Sequence, residues 1–239
     1  MKDTKTLITG LKDLNIELNE YQINQLLTYY DLLIERNKVM NLTSITEYEE
    51  VIHKHFLDSL SLIRVCNLKE NLSILDLGTG AGFPGIPLKI AFPNLNIVLL
   101  DSLNKRILFL NDVIQELKLV DIKAIHGRAE DYGRDIEYRE KFDLCVSRAV
   151  ANLATLSEYC IPFVKKGGMF IPYKSGNINE ELERSRRAIK EFGAKINVVD
   201  TFILPNTDIE RSFVVIEKVN HTPKIYPRTA GKPNKEPIH

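Results

Sequence analysis

The chain has 239 residues, of which 44% are hydrophobic and 27% are charged, and its 32 basic side chains balance 32 acidic ones. This composition is typical of a globular protein, and it excludes disordered, collagen-like and fibrous chains. A net charge of zero argues against nucleic-acid binding through bulk charge. No apolar run approaches the roughly 20 residues of a membrane span, and residues 1–10 lack the apolar stretch of a signal peptide. We expect no contact with membranes.

The three cysteines, Cys66, Cys145 and Cys160, lie far apart, and the chain contains no C-x-x-C motif. Neither a zinc knuckle nor a redox pair is therefore available, and no metal is predicted. A reduced, cytoplasmic setting fits this cysteine usage best. No pattern encodes the oligomeric state, and a monomer is the expectation.

Residues 1–70 are predicted to be helical and to pack on the rest of the chain. Asn19 and Gln22 have the spacing of a capping box, and apolar residues recur at helical spacing after them. Thr46 and Glu49 have the same spacing and predict a second helix. No linker rich in glycine, serine or proline separates this region from residue 71.

Residues 71–219 alternate short apolar runs with helical segments, which predicts a mostly parallel sheet covered on both faces, an α/β fold. The predicted strands are Ile74–Leu77, Ile97–Leu100, Ile122–Ile125, Phe142–Val146 and Gly168–Tyr173. The predicted helices are Pro84–Ala91, Asn104–Leu117, Leu153–Val164 and Asn179–Phe192. Lys195–Phe202 and Phe213–Glu217 are predicted to form a closing hairpin.

Residues 220–239 form a tail with four of the ten prolines, four basic residues and one acidic residue. Proline removes a backbone donor and disfavours helices, so an extended tail is predicted. A basic tail on a neutral body is either a solvated segment or a contact for nucleic acid.

The strongest local signal is a glycine loop between the first predicted strand and the next helix, containing Gly78, Gly80, Gly82 and Gly85. Two cofactors compete for it. Gly80-x-Gly82-x-x-Gly85 matches the dinucleotide fingerprint, although that pattern alone is weak. Asp76 precedes the glycines, and an acid there would repel a pyrophosphate. It would suit the amino group of S-adenosylmethionine instead.

Three further strand ends carry groups suited to a ligand, as expected at the carboxyl edge of a doubly wound sheet. Asp101 ends the second strand, where a carboxylate can bind both ribose hydroxyls of either cofactor. Arg128-Ala129-Glu130 follows the third strand, where an adenine edge would lie, and Ser147-Arg148-Ala149 ends the fourth.

Motifs spread from about residue 20 to the tail give the chain its resemblance to a known family. They are Asn41-Leu42-Thr43, Lys54-His55-Phe56-x-Asp58-Ser59, Asp76–Pro87, Asp101–Arg106, Arg128-Ala129-Glu130, Ser147-Arg148-Ala149 and Tyr226-Pro227-Arg228. The chain resembles the RsmG (GidB) family of bacterial methyltransferases that act on N7 of a guanine in 16S ribosomal RNA of the small subunit. The resemblance implies a class I, Rossmann-like methyltransferase fold with S-adenosylmethionine as cofactor.

The resemblance also implies which residues bind the cofactor. Contacts are expected at Gly78, Phe83, Ala129, Glu130 and Arg148, with Gly80, Gly82 and Asp101 lining the same pocket beside Asp76. No catalytic residue is firmly assigned; the candidates are Lys54, His55 and Arg148. The candidate RNA contacts are Lys54, His55, Lys105, Arg106, Lys165, Lys166, Lys174 and Arg228.

Three alternatives stay open at this point. The chain can be a methyltransferase for another RNA or a protein, a dinucleotide-dependent oxidoreductase, or a non-catalytic RNA-binding module. Transfer to guanine N7 needs no strong general base, because N7 of the neutral base carries a free lone pair. Positioning and the exclusion of water would then supply most of the catalysis.

Overall fold

The computed structural model describes residues 2–148 and 151–238. Its helices are α1 (Lys5–Asp13), α2 (Glu20–Met40), α3 (Tyr48–Val51), α4 (Asp58–Leu60), α5 (Gly85–Ala91), α6 (Asn104–Glu116), α7 (Ala129–Tyr132), α8 (Leu153–Cys160), α9 (Asn179–Glu191) and α10 (Lys232–Lys235). Its strands are β1 (Ser73–Leu77), β2 (Asn96–Asp101), β3 (Ile122–His126), β4 (Phe142–Ser147), β5 (Val164–Ser175), β6 (Ala194–Ile203) and β7 (Glu210–Lys218).

The described strands form one sheet in the order β3-β2-β1-β4-β5-β7-β6. β1 to β5 are mutually parallel, whereas β7 runs antiparallel to β5 and pairs with β6 as a hairpin. The predicted α/β fold, its mostly parallel sheet and its closing hairpin are therefore confirmed. The order changes direction between β1 and β4, and ligands of doubly wound sheets bind at such a point.

The sheet separates two apolar cores, as the alternation of side chains along β1 requires. Ile74 belongs to a core formed with α1, α2, α5 and α6, whereas the adjacent Leu75 belongs to a core formed with α8 and α9. Polar contacts also attach α2, since Nε2 of Gln25 donates to the carbonyl of Leu117 at 2.7 Å. The division into residues 1–70, 71–219 and 220–239 stays a prediction.

The two predicted helix starts had different outcomes. Asn19 and Gln22 exchange both bonds of a capping box, at 2.9 and 3.0 Å. The start at Thr46 is wrong: α3 begins at Tyr48 after Glu47, without a side-chain cap. The carbonyl of Thr46 instead accepts a hydrogen bond from the Tyr30 hydroxyl at 3.1 Å. A π-helical segment, Ile52–Leu57, then joins α3 to α4.

The extended tail predicted for residues 220–239 is also corrected, because α10 forms within it and the segment packs on the body. Tyr226 is buried, and its ring lies 4.9 Å from that of Phe192, centroid to centroid. Nη1 of Arg139 donates to the carbonyl of Tyr226 at 2.8 Å. Pro233 lies in the first turn of α10, where a missing amide hydrogen costs nothing. Within the described ranges, no helix is long and apolar enough to cross a bilayer.

Candidate active site

A cavity of about 750 Å³ opens at the carboxyl ends of β1, β2, β3 and β4. This size falls within the range of small-molecule sites. The glycine loop forms its floor, and Thr43 and His55 form one wall. Gly231 and Asn234 of the tail line it as well. Three separate parts of the chain therefore enclose one site.

The glycine loop turns through positive φ angles, 71° at Gly78 and 62° at Gly80. A Cβ atom added to Gly80 would meet no atom within 4 Å, because the position faces the cavity. A Cβ added to Gly85 would lie 2.3 Å from Cδ2 of Leu99. Gly80 therefore keeps space for a ligand, and Gly85 allows close packing of the helix on the sheet.

Gly82 does not line the cavity, contrary to the prediction. A Cβ added there would lie 2.6 Å from Cγ1 of Ile86 and 2.8 Å from the hydroxyl oxygen of Tyr29. The Tyr29 hydroxyl donates to the carbonyl of Ala81 at 2.5 Å. Gly82 therefore allows the loop to pack against α2 and α5, between the cavity residues Ala81 and Phe83.

Asp76 lies behind the loop and is not among the residues that line the cavity, so its contact with the cofactor stays a prediction. The carboxylate is fully buried, and its Oδ2 accepts bonds from Oγ1 of Thr79 at 2.7 Å and from the amide of Gly85 at 2.8 Å. Burial raises the pKa of Asp76 to about 7. A carboxyl with this pKa is only partly ionised near neutral pH, so its charge alone does not choose between the two cofactors. Its Oδ2 holds the loop, whereas its buried Oδ1 has no partner among the described residues.

Asp101 reaches the cavity as predicted. Its Oδ2 accepts from the amide of Gly80 at 2.9 Å, and its Oδ1 accepts from the amide of Leu103 at 2.9 Å. Nη1 of Arg106 lies 3.1 Å from Oδ2 and 3.4 Å from Oδ1. A carboxylate has about four acceptor positions. Ribose hydroxyls would therefore bind Asp101 by displacing Arg106, which lines the cavity and is not a free RNA contact.

Ala129 and Glu130 line the cavity beyond β3, where the sequence places an adenine edge. Oε1 of Glu130 accepts from the amide of Gly231 at 2.9 Å. The acid therefore fixes the tail over the cavity, which is a function that its spacing in the sequence did not indicate.

The opposite end of the cavity contains a stack of His55, Phe83 and Arg148. The rings of His55 and Phe83 are nearly parallel, with centroids 4.3 Å apart, and the Arg148 guanidinium carbon lies 5.6 Å from the Phe83 centroid. Arg148 also pairs with buried Asp58 at 3.3 Å and donates to the carbonyl of Lys54 at 2.9 Å. Of the predicted triplet Ser147-Arg148-Ala149, the last residue lies outside the described ranges.

His55 is a poor general base in this setting. Burial, and secondarily the charge of Arg148, lowers its pKa to about 3. Both ring nitrogens have partners, since Nδ1 lies 3.2 Å from Nη2 of Arg148 and Nε2 lies 3.0 Å from Oγ1 of Thr43. Lys54 is adjacent in sequence, but its ammonium forms an ion pair with Glu50 and does not line the cavity.

Several predicted RNA contacts lie elsewhere or already have partners. Lys165 pairs with Asp143 near the start of β4, and Lys166 follows it, so both lie at the sheet edge opposite the cavity. Lys174 donates to Glu181 at 2.7 Å. The Nε and Nη2 atoms of Arg228 donate to the carboxylate of Glu158, which is 1% exposed. Lys105 donates to the carbonyl of Met40 at 2.9 Å.

The sequence prediction missed Thr43, Gly231 and Asn234 as cavity residues. Thr43 belongs to a motif of the resemblance but had no assigned role. The tail had no signal beyond the Tyr226-Pro227-Arg228 motif, charge and proline content, which left a solvated segment and a nucleic-acid contact as the two interpretations.

The residues that line the cavity fit S-adenosylmethionine, a cofactor that has no phosphate group. Asp101 can accept from ribose hydroxyls, and the space beside Ala129 and Glu130 can take an adenine. The open face at Gly80 leaves room for the methionine part. Each of these features also lies at the strand end where the fold places such a ligand.

Two solved structures share this fold. One is "M. jannaschii TYW2 in complex with AdoMet", with a TM-score of 0.55 at 17% identity over 74% of this chain and 80% of that chain. The other is the Methanococcus jannaschii fibrillarin pre-rRNA processing protein, with a TM-score of 0.51 at 21% identity over 65% of this chain and 70% of that chain. At these identities the likeness concerns the fold.

The sheet order and the glycine-loop cavity are those of a class I methyltransferase that uses S-adenosylmethionine. The family model for rRNA small subunit methyltransferase G matches residues 22–209, and the chain belongs to that GidB family. Ribosomal RNA small subunit methyltransferase G of Lachnoclostridium phytofermentans is 59% identical, over 100% of this chain and 98% of the relative. The protein of that name from Alkaliphilus metalliredigens is 51% identical, over 100% of both.

The family predicted from the motifs is thus confirmed, as are the enzyme class and the cofactor. The alternative of a dinucleotide-dependent oxidoreductase is set aside, because the relatives are methyltransferases.

Proposed function

We propose that the protein transfers a methyl group from S-adenosylmethionine to N7 of a guanine in 16S ribosomal RNA of the small subunit. The observation that carries the proposal is the 59% identity, over the whole chain, to a relative named ribosomal RNA small subunit methyltransferase G. Guanine N7 as the acceptor atom comes from the resemblance to the family. A cytoplasmic monomer is the form in which we expect the protein to act.

The chemistry of the cavity suits an acceptor that needs no deprotonation. Bound S-adenosylmethionine supplies an electrophilic methyl group, and N7 of neutral guanine offers a lone pair. His55 is neutral and has both nitrogens engaged, so it does not remove a proton. The residues of the chain act by holding the two reactants in line and by excluding water.

The cofactor roles follow from position along the cavity. Asp101 would bind the ribose, and Ala129 and Glu130 would border the adenine. The methionine part would then extend over Gly78 and Gly80 towards Phe83 and Arg148. This direction follows the strand order from β3 to β4. The acceptor base would enter beside the stack of His55, Phe83 and Arg148, after leaving its own stack in the RNA.

We further propose that the substrate is a folded ribosomal particle. The chain has no net charge, and several lysines and arginines that sequence reasoning assigned to RNA have protein partners. Weak electrostatic attraction for naked RNA follows, since phosphate contacts dominate nonspecific affinity. A folded particle that presents the base in a fixed position would compensate for this weak attraction.

The test is transfer of labelled methyl to small subunits from cells that lack this gene, beside subunits from normal cells and protein-free 16S rRNA. Label is expected only in the first set. Asp101→Asn, which alters the proposed ribose contact, serves as the impaired variant, and Lys166→Ala, at the far sheet edge, serves as its surface control. Cofactor binding without transfer to any acceptor would favour a non-catalytic module. Labelled methyl found in ribosomal protein would show that the acceptor is a protein and not 16S rRNA.

A further inference from the structure

A directed chain of hydrogen bonds at the acceptor end of the cavity begins at Arg148. Its guanidinium Nη2 lies 3.2 Å from Nδ1 of His55. A guanidinium can only donate, so Nδ1 accepts. The neutral imidazole must then carry its proton on Nε2, the nitrogen that faces Thr43 at 3.0 Å.

This chain fixes the hydroxyl of Thr43 as a donor. Its Oγ1 accepts the proton of His55 Nε2, and it also accepts from the amide of Ile45 at 3.0 Å. A hydroxyl oxygen has two lone pairs and one proton. Both lone pairs are used, and no acceptor for the proton occurs among residues 2–148 and 151–238. Because Thr43 lines the cavity, its O–H can donate to a ligand there.

We propose that Thr43 is a specificity-determining residue that donates its hydroxyl proton to O6 of the guanine, a role that rests on the proposed transfer to guanine N7. O6 and N7 share one edge of guanine, and both are acceptors. On the same edge adenine carries N7 and an amino donor. Thr43 cannot turn to accept from that amino group, because its lone pairs are occupied. A bound adenine would therefore leave two donors facing each other.

Arg148 and His55 act as positioning residues in this scheme. They hold the proton of Thr43 towards the cavity, and each contacts the aromatic ring of Phe83. Buried Asp58 fixes the guanidinium in turn, at 3.3 Å from Arg148 and 2.8 Å from Arg211. Discrimination against a base that lacks a required hydrogen-bonding group is strong when the site's own group is left unpaired.

The experiment combines a change in the base with a change in the hydroxyl. Small subunits are reconstituted on 16S rRNA that carries guanine, hypoxanthine or 2-aminopurine at the target position. Hypoxanthine keeps O6, whereas 2-aminopurine lacks O6 and keeps N7. Relative kcat/KM is measured for the wild-type enzyme, Thr43→Val, Thr43→Ser and Ser44→Ala. The last variant removes a hydroxyl from the exposed neighbouring residue.

Relative to 2-aminopurine, Thr43→Val is expected to lower kcat/KM for guanine and hypoxanthine by about tenfold to a hundredfold, the loss for the unmade hydrogen bond to O6. For 2-aminopurine the change is expected to stay below about threefold, because the contact is already absent. Thr43→Ser is expected to keep the preference for O6, and Ser44→Ala to match the wild type. An equal loss on all three bases would show a merely structural effect and overturn the role of Thr43.

The wild-type enzyme provides a test that does not depend on folding of a variant. It is expected to prefer both O6-containing bases over 2-aminopurine by about tenfold or more. Equal rates on hypoxanthine and 2-aminopurine would overturn the role of Thr43 while leaving the proposed function intact. No transfer to guanine in any particle would overturn the proposed function itself.

Discussion

The amide of Gly231 donates to Oε1 of Glu130 at 2.9 Å, and this bond joins the C-terminal tail to a wall of the cofactor cavity. The two residues are 101 positions apart in the chain. Gly231 has a φ of 82°, in the region that favours glycine, and it directly precedes α10. The tail is therefore part of the cavity wall.

Arg228 anchors this tail, and Arg228→Ala is expected to destabilise the protein by about 3–5 kcal/mol. The substitution leaves the carboxylate of Glu158 buried without its partner, since that side chain is only 1% exposed. Chemical denaturation measures the loss in the free energy of unfolding, provided that the variant and the wild type have the same m-value. Lys224→Ala, an exposed change in the same segment, is the control and should have no measurable effect. A stable Arg228→Ala protein with weakened RNA binding would restore the direct RNA contact predicted from sequence.

The glycine loop contains two positions, Gly80 and Gly85, whose substitution is expected to affect cofactor binding differently. Gly80→Ala should cost about 1–2 kcal/mol of stability through its positive φ and should weaken S-adenosylmethionine binding at least tenfold, because the methyl group enters the cavity. Gly85→Ala should mainly destabilise the fold, since its Cβ would lie 2.3 Å from Cδ2 of Leu99. Calorimetric titration and thermal unfolding of both variants separate the effects. The prediction fails when Gly80→Ala binds the cofactor normally.

His55 is expected to stay neutral throughout the physiological range. Its folded-state pKa is lowered from 6.5 to about 3, so its contribution to stability is present above pH 6.5 and is lost as the pH falls towards 3. Histidine side-chain NMR should show the Nε2–H tautomer and no titration of this ring between pH 5 and 8. A titration midpoint near pH 6.5 for the His55 ring would contradict the lowering of its pKa by burial.

The salt dependence of RNA binding should come from basic residues on the same face of the protein as the cavity. Lys232 and Lys235 lie on α10, next to cavity residues Gly231 and Asn234. Replacing both by alanine is expected to reduce the slope of log K against log salt by about 1–2, the effect of losing one or two phosphate contacts. Lys166→Ala, at the opposite sheet edge, should leave the slope unchanged. Filter binding to small subunits at several salt concentrations measures both, and equal slopes for all three proteins would exclude α10 from the interface.

Much of this fold was predicted from local sequence patterns, because the features concerned depend on residues that are close together in the chain. The capping box of Asn19 and Gln22, the glycine turns and the alternation of strands and helices all act within a few positions. The β5 start was predicted at Gly168 and occurs at Val164, because the preceding helix ends at Cys160 and a short 3₁₀ turn follows.

Pairing between distant residues could not be predicted in this way. Arg228 and Glu158 are 70 positions apart, and a basic tail looks solvated until the buried acid is located. The Oδ2 atom of Asp76 is occupied because the loop amide of Gly85 and the Thr79 hydroxyl turn back to it. The donor role of Thr43 depends on Arg148 fixing the tautomer of His55, which no spacing rule contains.

Identification of the modified nucleoside tests the central claim most directly. Small subunits from cells lacking this gene are incubated with the protein and S-adenosylmethionine, and their 16S rRNA is digested and analysed by mass spectrometry. The predicted result is 7-methylguanosine at one position, absent when Asp101→Asn replaces the wild-type protein. A methyl group on another nucleoside, or unmodified RNA despite demonstrated cofactor binding, would contradict transfer to guanine N7.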